Sequence, residues 1–117
     1  MRRAVATTLE RYRPGSFELY HADDGAEGMR LVGSAAPDLI FCDFNMPNMD
    51  GMAFLEKLRQ RHGHAKTPLI MMSAETRPEF REAAANAGAR WLPKPFTPTL
   101  LRELTDRCLQ QTNSASD

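Results

Sequence analysis

The chain has 117 residues, 42% of them apolar and 26% charged, which is the size and make-up of one globular domain with a single core. Fifteen Lys and Arg balance fifteen Asp and Glu, so bulk charge does not draw the chain to nucleic acid or to an anionic membrane. Its apolar runs are too short to span a bilayer, no signal-peptide core follows Met1-Arg2-Arg3, and two cysteines, Cys42 and Cys108, make no disulfide framework and suit a reducing cytoplasm.

Met1, Val5, Leu9 and Tyr12 share one face at helical spacing, and Arg13-Pro14-Gly15-Ser16 ends that helix. Phe17-Glu18-Leu19-Tyr20-His21 alternates apolar and polar, the pattern of a strand with one wet face. Asp23-Asp24-Gly25 closes it and caps a second helix carrying Met29 and Val32. Leu39-Ile40-Phe41-Cys42 is a continuous apolar run that suits a strand buried on both faces. Asp50-Gly51 opens a third helix with Met52, Leu55 and Leu58 inward, and Pro68–Met72 reads as a second doubly buried strand. A fourth, alanine-rich helix over Pro78–Ala87 sets Phe80, Ala83, Ala84 and Ala87 on one stripe, and Arg90-Trp91-Leu92 is a short last strand. Thr97 caps a fifth helix with Pro98 at its first position and Leu101, Leu104 and Cys108 inward. Residues 1–111 form the domain, and Thr112–Asp117 is a polar, flexible tail. The alternation is that of a parallel α/β sheet with helices on both faces, which collects its chemistry at the carboxyl ends of the strands.

Three such ends carry reactive groups: Asp43, Ser73-Ala74 and Lys94-Pro95. A carboxylate there can attack phosphorus to give an aspartyl-phosphate, while an ammonium and a hydroxyl meet the phosphoryl oxygens. Singly, each has a plainer reading: a turn aspartate, a loop hydroxyl, a solvated lysine. Their joint placement at three strand ends is what argues for a site. The stretch from Asp43 to Gly51 fails as a calcium loop, because Pro47 stands at a ligand position, Asn48 replaces the turn glycine and the closing Glu is missing. His62-Gly63-His64 reads as a polar loop and Cys42 as a small core residue.

Five motifs run in order along the chain: Asp38-Leu39-Ile40-Phe41-Cys42-Asp43, Met46-Pro47-Asn48-Met49-Asp50-Gly51, Met72-Ser73-Ala74-Glu75, Ala87-Gly88-Ala89 and Lys94-Pro95-Phe96-Thr97. Together they resemble the receiver domain of bacterial two-component response regulators, closest to the single-domain chemotaxis type, a flavodoxin-like doubly wound fold. The resemblance implies that Asp43 accepts a phosphoryl group from the phosphohistidine of a histidine kinase or phosphotransfer protein. It further implies that Asn45, Ala74 and Glu75 flank that group, that Ser73 and Trp91 switch, and that Lys94, after a cis Lys94-Pro95 bond, is the cationic partner. An output protein would dock on the face of the fourth helix, last strand and fifth helix, with no nucleic acid or membrane bound by this domain.

The chain departs from the family pattern at its start. Met1-Arg2-Arg3-Ala4 already resembles the beginning of the family's first helix, so the first strand and its acidic pair are absent, leaving four of five strands and five helices. Three resolutions stay open. The Phe17 strand closes onto the Leu39 strand, bringing Asp23 or Asp24 toward Asp43; or a partner subunit fills the gap in an exchanged dimer; or the functional protein is longer. Magnesium, which the family uses, would retain Asp43, the Asn45 carbonyl and water, a weak site or none. Phosphorylation is therefore expected to be poor, with a Lys94–Asp43 ion pair at rest. The alternative reading is a phosphorylation-independent, truncated receiver serving as a binding or dimerisation scaffold. A third, a small hydrolase with an aspartate nucleophile, lacks a general base and a substrate pocket.

Overall fold

The computed structural model describes residues 2–46, 49–61 and 63–116, with the backbone alone at 2–4 and 111–116. Met1 of the predicted first-helix face, Pro47 and Asn48 of the loop, and His62 lie outside the described residues. The elements are α1 (Arg2–Tyr12), α2 (Gly25–Ala35), β1 (Ile40–Asp43), α3 (Gly51–Gln60), β2 (Leu69–Ser73), α4 (Pro78–Asn86), β3 (Ala89–Pro93) and α5 (Pro98–Ser116). Helix starts are fixed locally. Asp24 and Asp50 accept from the backbone N–H of Glu27 and Ala53 at 2.9 and 2.8 Å, and Thr97 Oγ1 accepts from Leu100 N at 3.1 Å. α5 continues to Ser116, through the residues read as a tail, since neither Pro nor Gly interrupts it.

The three strands are parallel in the order β1-β2-β3, with Asp43 beside Met72 and Ser73 beside Pro93. Period-two alternation along the fully buried β2 splits the core in two. Leu69 and Met71 pack with Val32, Phe54, Leu55 and Leu58 on one side, while Ile70 and Met72 pack with Val5, Leu9, Leu101 and Cys108 on the other. α1 and α5 thus cover one face and α2, α3 and α4 the other. Tyr12 Oη and Arg13 both donate to Asp106, at 2.5 and 3.0 Å, which ties α1 to α5.

Four expectations need correction. The sheet has three strands among the described residues, because Phe17–Ala22 is irregular; no strand lies between it and β1, so its backbone has no ladder to join. It does not close onto β1 either, and a groove of about 930 Å³ lined by both separates them. For the same reason Ile40 and Phe41 are only half-buried. In the helices, Phe54 joins Met52, Leu55 and Leu58 against the core from α3, Ala83 is exposed on α4, and Thr105 joins Leu101 and Cys108 in burial on α5.

Candidate functional site at the strand ends

Parallel pairing brings three chain segments out of the sheet side by side. Phe44 N donates to Met72 O at 2.9 Å and Lys94 N to Ser73 O at 2.8 Å, so the residues after β1 and β3 are both pinned to the end of β2. From that position the Lys94 ammonium donates to Asp43 Oδ1 across the end of β2, each side chain 26% exposed. The Lys94-Pro95 bond is cis. Asp43 is held from below as well. Gly51 N donates to Phe44 O at 2.7 Å, and a Cβ on Gly51 would stand 2.6 Å from both Asp43 O and Met71 Sδ. Only glycine lets α3 start this close to the Asp43–Phe44 backbone.

Ser73 is buried at 2% exposure, and its Oγ accepts from Glu75 N at 2.8 Å, an interaction that leaves the hydroxyl proton to give. Ala74 is exposed beside it. The Glu75 carboxylate turns to Arg77, accepting from Nε at 2.8 Å, Nη2 at 3.1 Å and the backbone N at 3.0 Å; the hydrogen bonds and charge of Arg77 hold it down at about 2. Asn45 is exposed and lines the groove beside β1 together with Asp43, Asp23 and Asp24. Burial, with Asp43 and Asp50 adding to it, pushes the Cys42 thiol up to about 12, so Cys42 is an inert core member.

An aromatic cluster that the sequence reading missed joins this site to α4. The Phe44 ring lies 5.2 Å from Phe80 and 5.8 Å from Trp91, with Arg77 over Phe80 at 4.5 Å and Arg81 over Trp91 at 5.9 Å. Trp91 is half-buried. The available signal was a lone phenylalanine directly after Asp43, at a position that leaves the sheet.

The residues do not fit magnesium. Among the described residues no three of His, Cys, Asp and Glu stand together as a metal site. Asp43 already faces an ammonium, Asp24 caps α2, and the Asn45 carbonyl adds one neutral oxygen, against the near-octahedral oxygen shell this ion demands.

Residues 1–106 match the model of the response regulator receiver domain. The chemotaxis protein CheY4 of Vibrio cholerae, crystallised at low pH, is 35% identical with a TM-score of 0.82, and the match covers 92% of this chain and 88% of that one. The N-terminal domain of an uncharacterized protein from Wolinella succinogenes is 32% identical, with a TM-score of 0.80 and coverage of 99% and 90%. Among curated proteins, the transcriptional activator protein PfeR of Pseudomonas aeruginosa is 35% identical over 101 residues, which are 86% of this chain and 32% of PfeR. The DNA-binding transcriptional regulator NtrC of Escherichia coli is 39% identical over 75 residues, 63% of this chain and 16% of NtrC. The chain spans about a third of the first of these relatives and about a sixth of the second.

Proposed function

The chain belongs to the response regulator receiver family, a non-enzymatic signalling domain of two-component systems, and we propose that Asp43 is its phosphoryl acceptor. The donor is the phosphohistidine of a histidine kinase or phosphotransfer protein in the cytoplasm. The observation that supports this reading most is the Asp43–Lys94 pair at the carboxyl ends of a parallel sheet, with the Ser73 hydroxyl on the strand between. An Asp43 carboxylate oxygen attacks phosphorus and the P–N bond to the imidazole breaks; the imidazole nitrogen keeps the electron pair and takes a proton from solvent. Lys94 then moves its charge from the carboxylate to a phosphoryl oxygen, and Ser73 donates its free proton to another. Because the described residues do not fit magnesium, Lys94 carries the main charge compensation and the transfer is slow.

The readout runs through Phe44. Its ring touches both Phe80 and Trp91, so a shift of the Asp43–Phe44 backbone reaches the face formed by α4, β3 and α5, where an output protein docks. The alternative, a phosphorylation-independent binding scaffold, is favoured by one observation: Asp43 is already neutralised by Lys94, and among the described residues no cluster of metal-ligating side chains stands with it. Among the described residues no helix is long and apolar enough to cross a membrane. Incubation with acetyl phosphate followed by hydroxylamine separates the two readings. An acyl phosphate leaves a hydroxamate that peptide mass mapping finds at Asp43, and a scaffold leaves none.

A further inference from the structure

Ser73, at the end of the strand between β1 and β3, is bonded to two charged residues. Its carbonyl accepts from Lys94 N at 2.8 Å, and its Oγ accepts from Glu75 N at 2.8 Å. Glu75 and Lys94 are thus anchored to one residue, and Lys94 carries the ammonium that holds Asp43. An unrestrained carboxylate in this place would act against phosphoryl transfer in two ways. It would offer Lys94 a second acceptor in competition with Asp43, and it would add negative charge where an anionic donor must approach.

The carboxylate is instead turned to Arg77. Nε donates to Oε1 at 2.8 Å and Nη2 to Oε2 at 3.1 Å, a two-point grip that fixes direction as well as charge, and the Arg77 backbone N adds a third bond at 3.0 Å. The guanidinium lies over the Phe80 ring at 4.5 Å, and Phe80 packs on Phe44, the residue after Asp43. Pro78 at the first position of α4 keeps the Arg77 backbone extended, at φ −70° and ψ 125°, so the grip is formed before any ligand arrives. Folding gains little from it, because the Arg77 side chain is 61% exposed. We propose that Arg77 is a positioning residue for the strand-end site: it holds the Glu75 carboxylate away from Lys94, leaving that ammonium to Asp43 and to the phosphoryl group Asp43 accepts. The inference rests on the phosphoacceptor reading and adds to it a residue that acts only through Glu75.

The test follows phosphoryl incorporation from acetyl phosphate by intact mass over time. It compares the full chain with Arg77→Gln, with Arg77→Gln combined with Glu75→Gln, and with Asp43→Ala. Arg77→Gln should slow incorporation at least about threefold, the size of effect that exposed ion pairs have. The double variant should recover most of that loss, because the charge that Arg77 restrained is gone. Added salt should shrink the Arg77→Gln defect, since the interactions it releases are between solvated charges. A merely structural role would respond to neither. Incorporation by Arg77→Gln equal to or faster than that of the unchanged chain, or a loss that neither Glu75→Gln nor salt relieves, overturns the proposal and leaves the Asp43 reading standing. No incorporation by the folded, unchanged chain, or equal incorporation by Asp43→Ala, overturns the Asp43 reading and this inference with it.

Discussion

The Lys94 ammonium holds Asp43 Oδ1 across the end of β2, joining the two outer strands of the sheet by side chains alone. The pair is partly solvated, so replacing Lys94 by Met should cost about 1 kcal/mol or less in denaturant unfolding. On the proposed chemistry its effect is larger, because Lys94 supplies the charge that faces the phosphoryl group. Phosphoryl incorporation from acetyl phosphate should slow at least about tenfold, read by mass spectrometry over time.

Gly51 is required for space, not for an unusual dihedral. Gly51→Ala forces a Cβ to 2.6 Å from the Asp43 carbonyl, and backbone cannot swing aside as a side chain can. The loss should be about 2 kcal/mol in thermal or urea unfolding. Gly25→Ala meets the Met49 side chain along its length, Sδ at 2.7 Å and Cβ at 3.0 Å, but its nearest neighbours are not backbone, and it should cost less than Gly51→Ala.

Arg59 braces the opposite end of the sheet. Its guanidinium donates to Ala87 O at 2.6 Å, Thr67 O at 2.7 Å and His64 O at 3.3 Å, and partial burial draws its pKa down from the usual guanidinium value. Arg59→Met keeps the aliphatic stem but leaves three carbonyls without this donor. Unfolding free energy should fall by about 2 kcal/mol.

Glu75 should titrate far below an ordinary carboxylate. Arg77 hydrogen-bonds and neutralises it, so its carboxyl resonance should show a midpoint near about 2. Because the folded value is lowered, whatever the pair contributes is complete above the ordinary carboxylate value near 4.5 and is lost as pH falls through about 2. Arg77→Gln should return the midpoint toward 4.5, measured by carboxyl-carbon NMR.

What could be read from the sequence was local or periodic. Asp24, Asp50 and Thr97 cap helices through bonds to their own next turn, and Leu69–Met72 of β2 is apolar at every position, so both were visible in a few neighbouring residues. That Asp43 and Lys94 stand together followed from their places at strand ends. The Phe17 segment shows the limit. Its alternation is that of a strand, yet a strand exists only with a neighbour to pair with, and pairing is not written in the segment itself. Thr105 was missed because burial of a hydroxyl depends on a partner, here Leu101 O at 2.8 Å one helical turn back. Phe44 was missed for a related reason: its contacts, Phe80 and Trp91, are brought to it by α4 and β3.

The most direct test of the account is the intact mass of the folded chain after long incubation with acetyl phosphate, beside Asp43→Ala, each with and without magnesium. The account predicts slow gain of one phosphoryl group, absent in Asp43→Ala and little changed by magnesium. No gain by the folded chain, or an equal gain by Asp43→Ala, would contradict it.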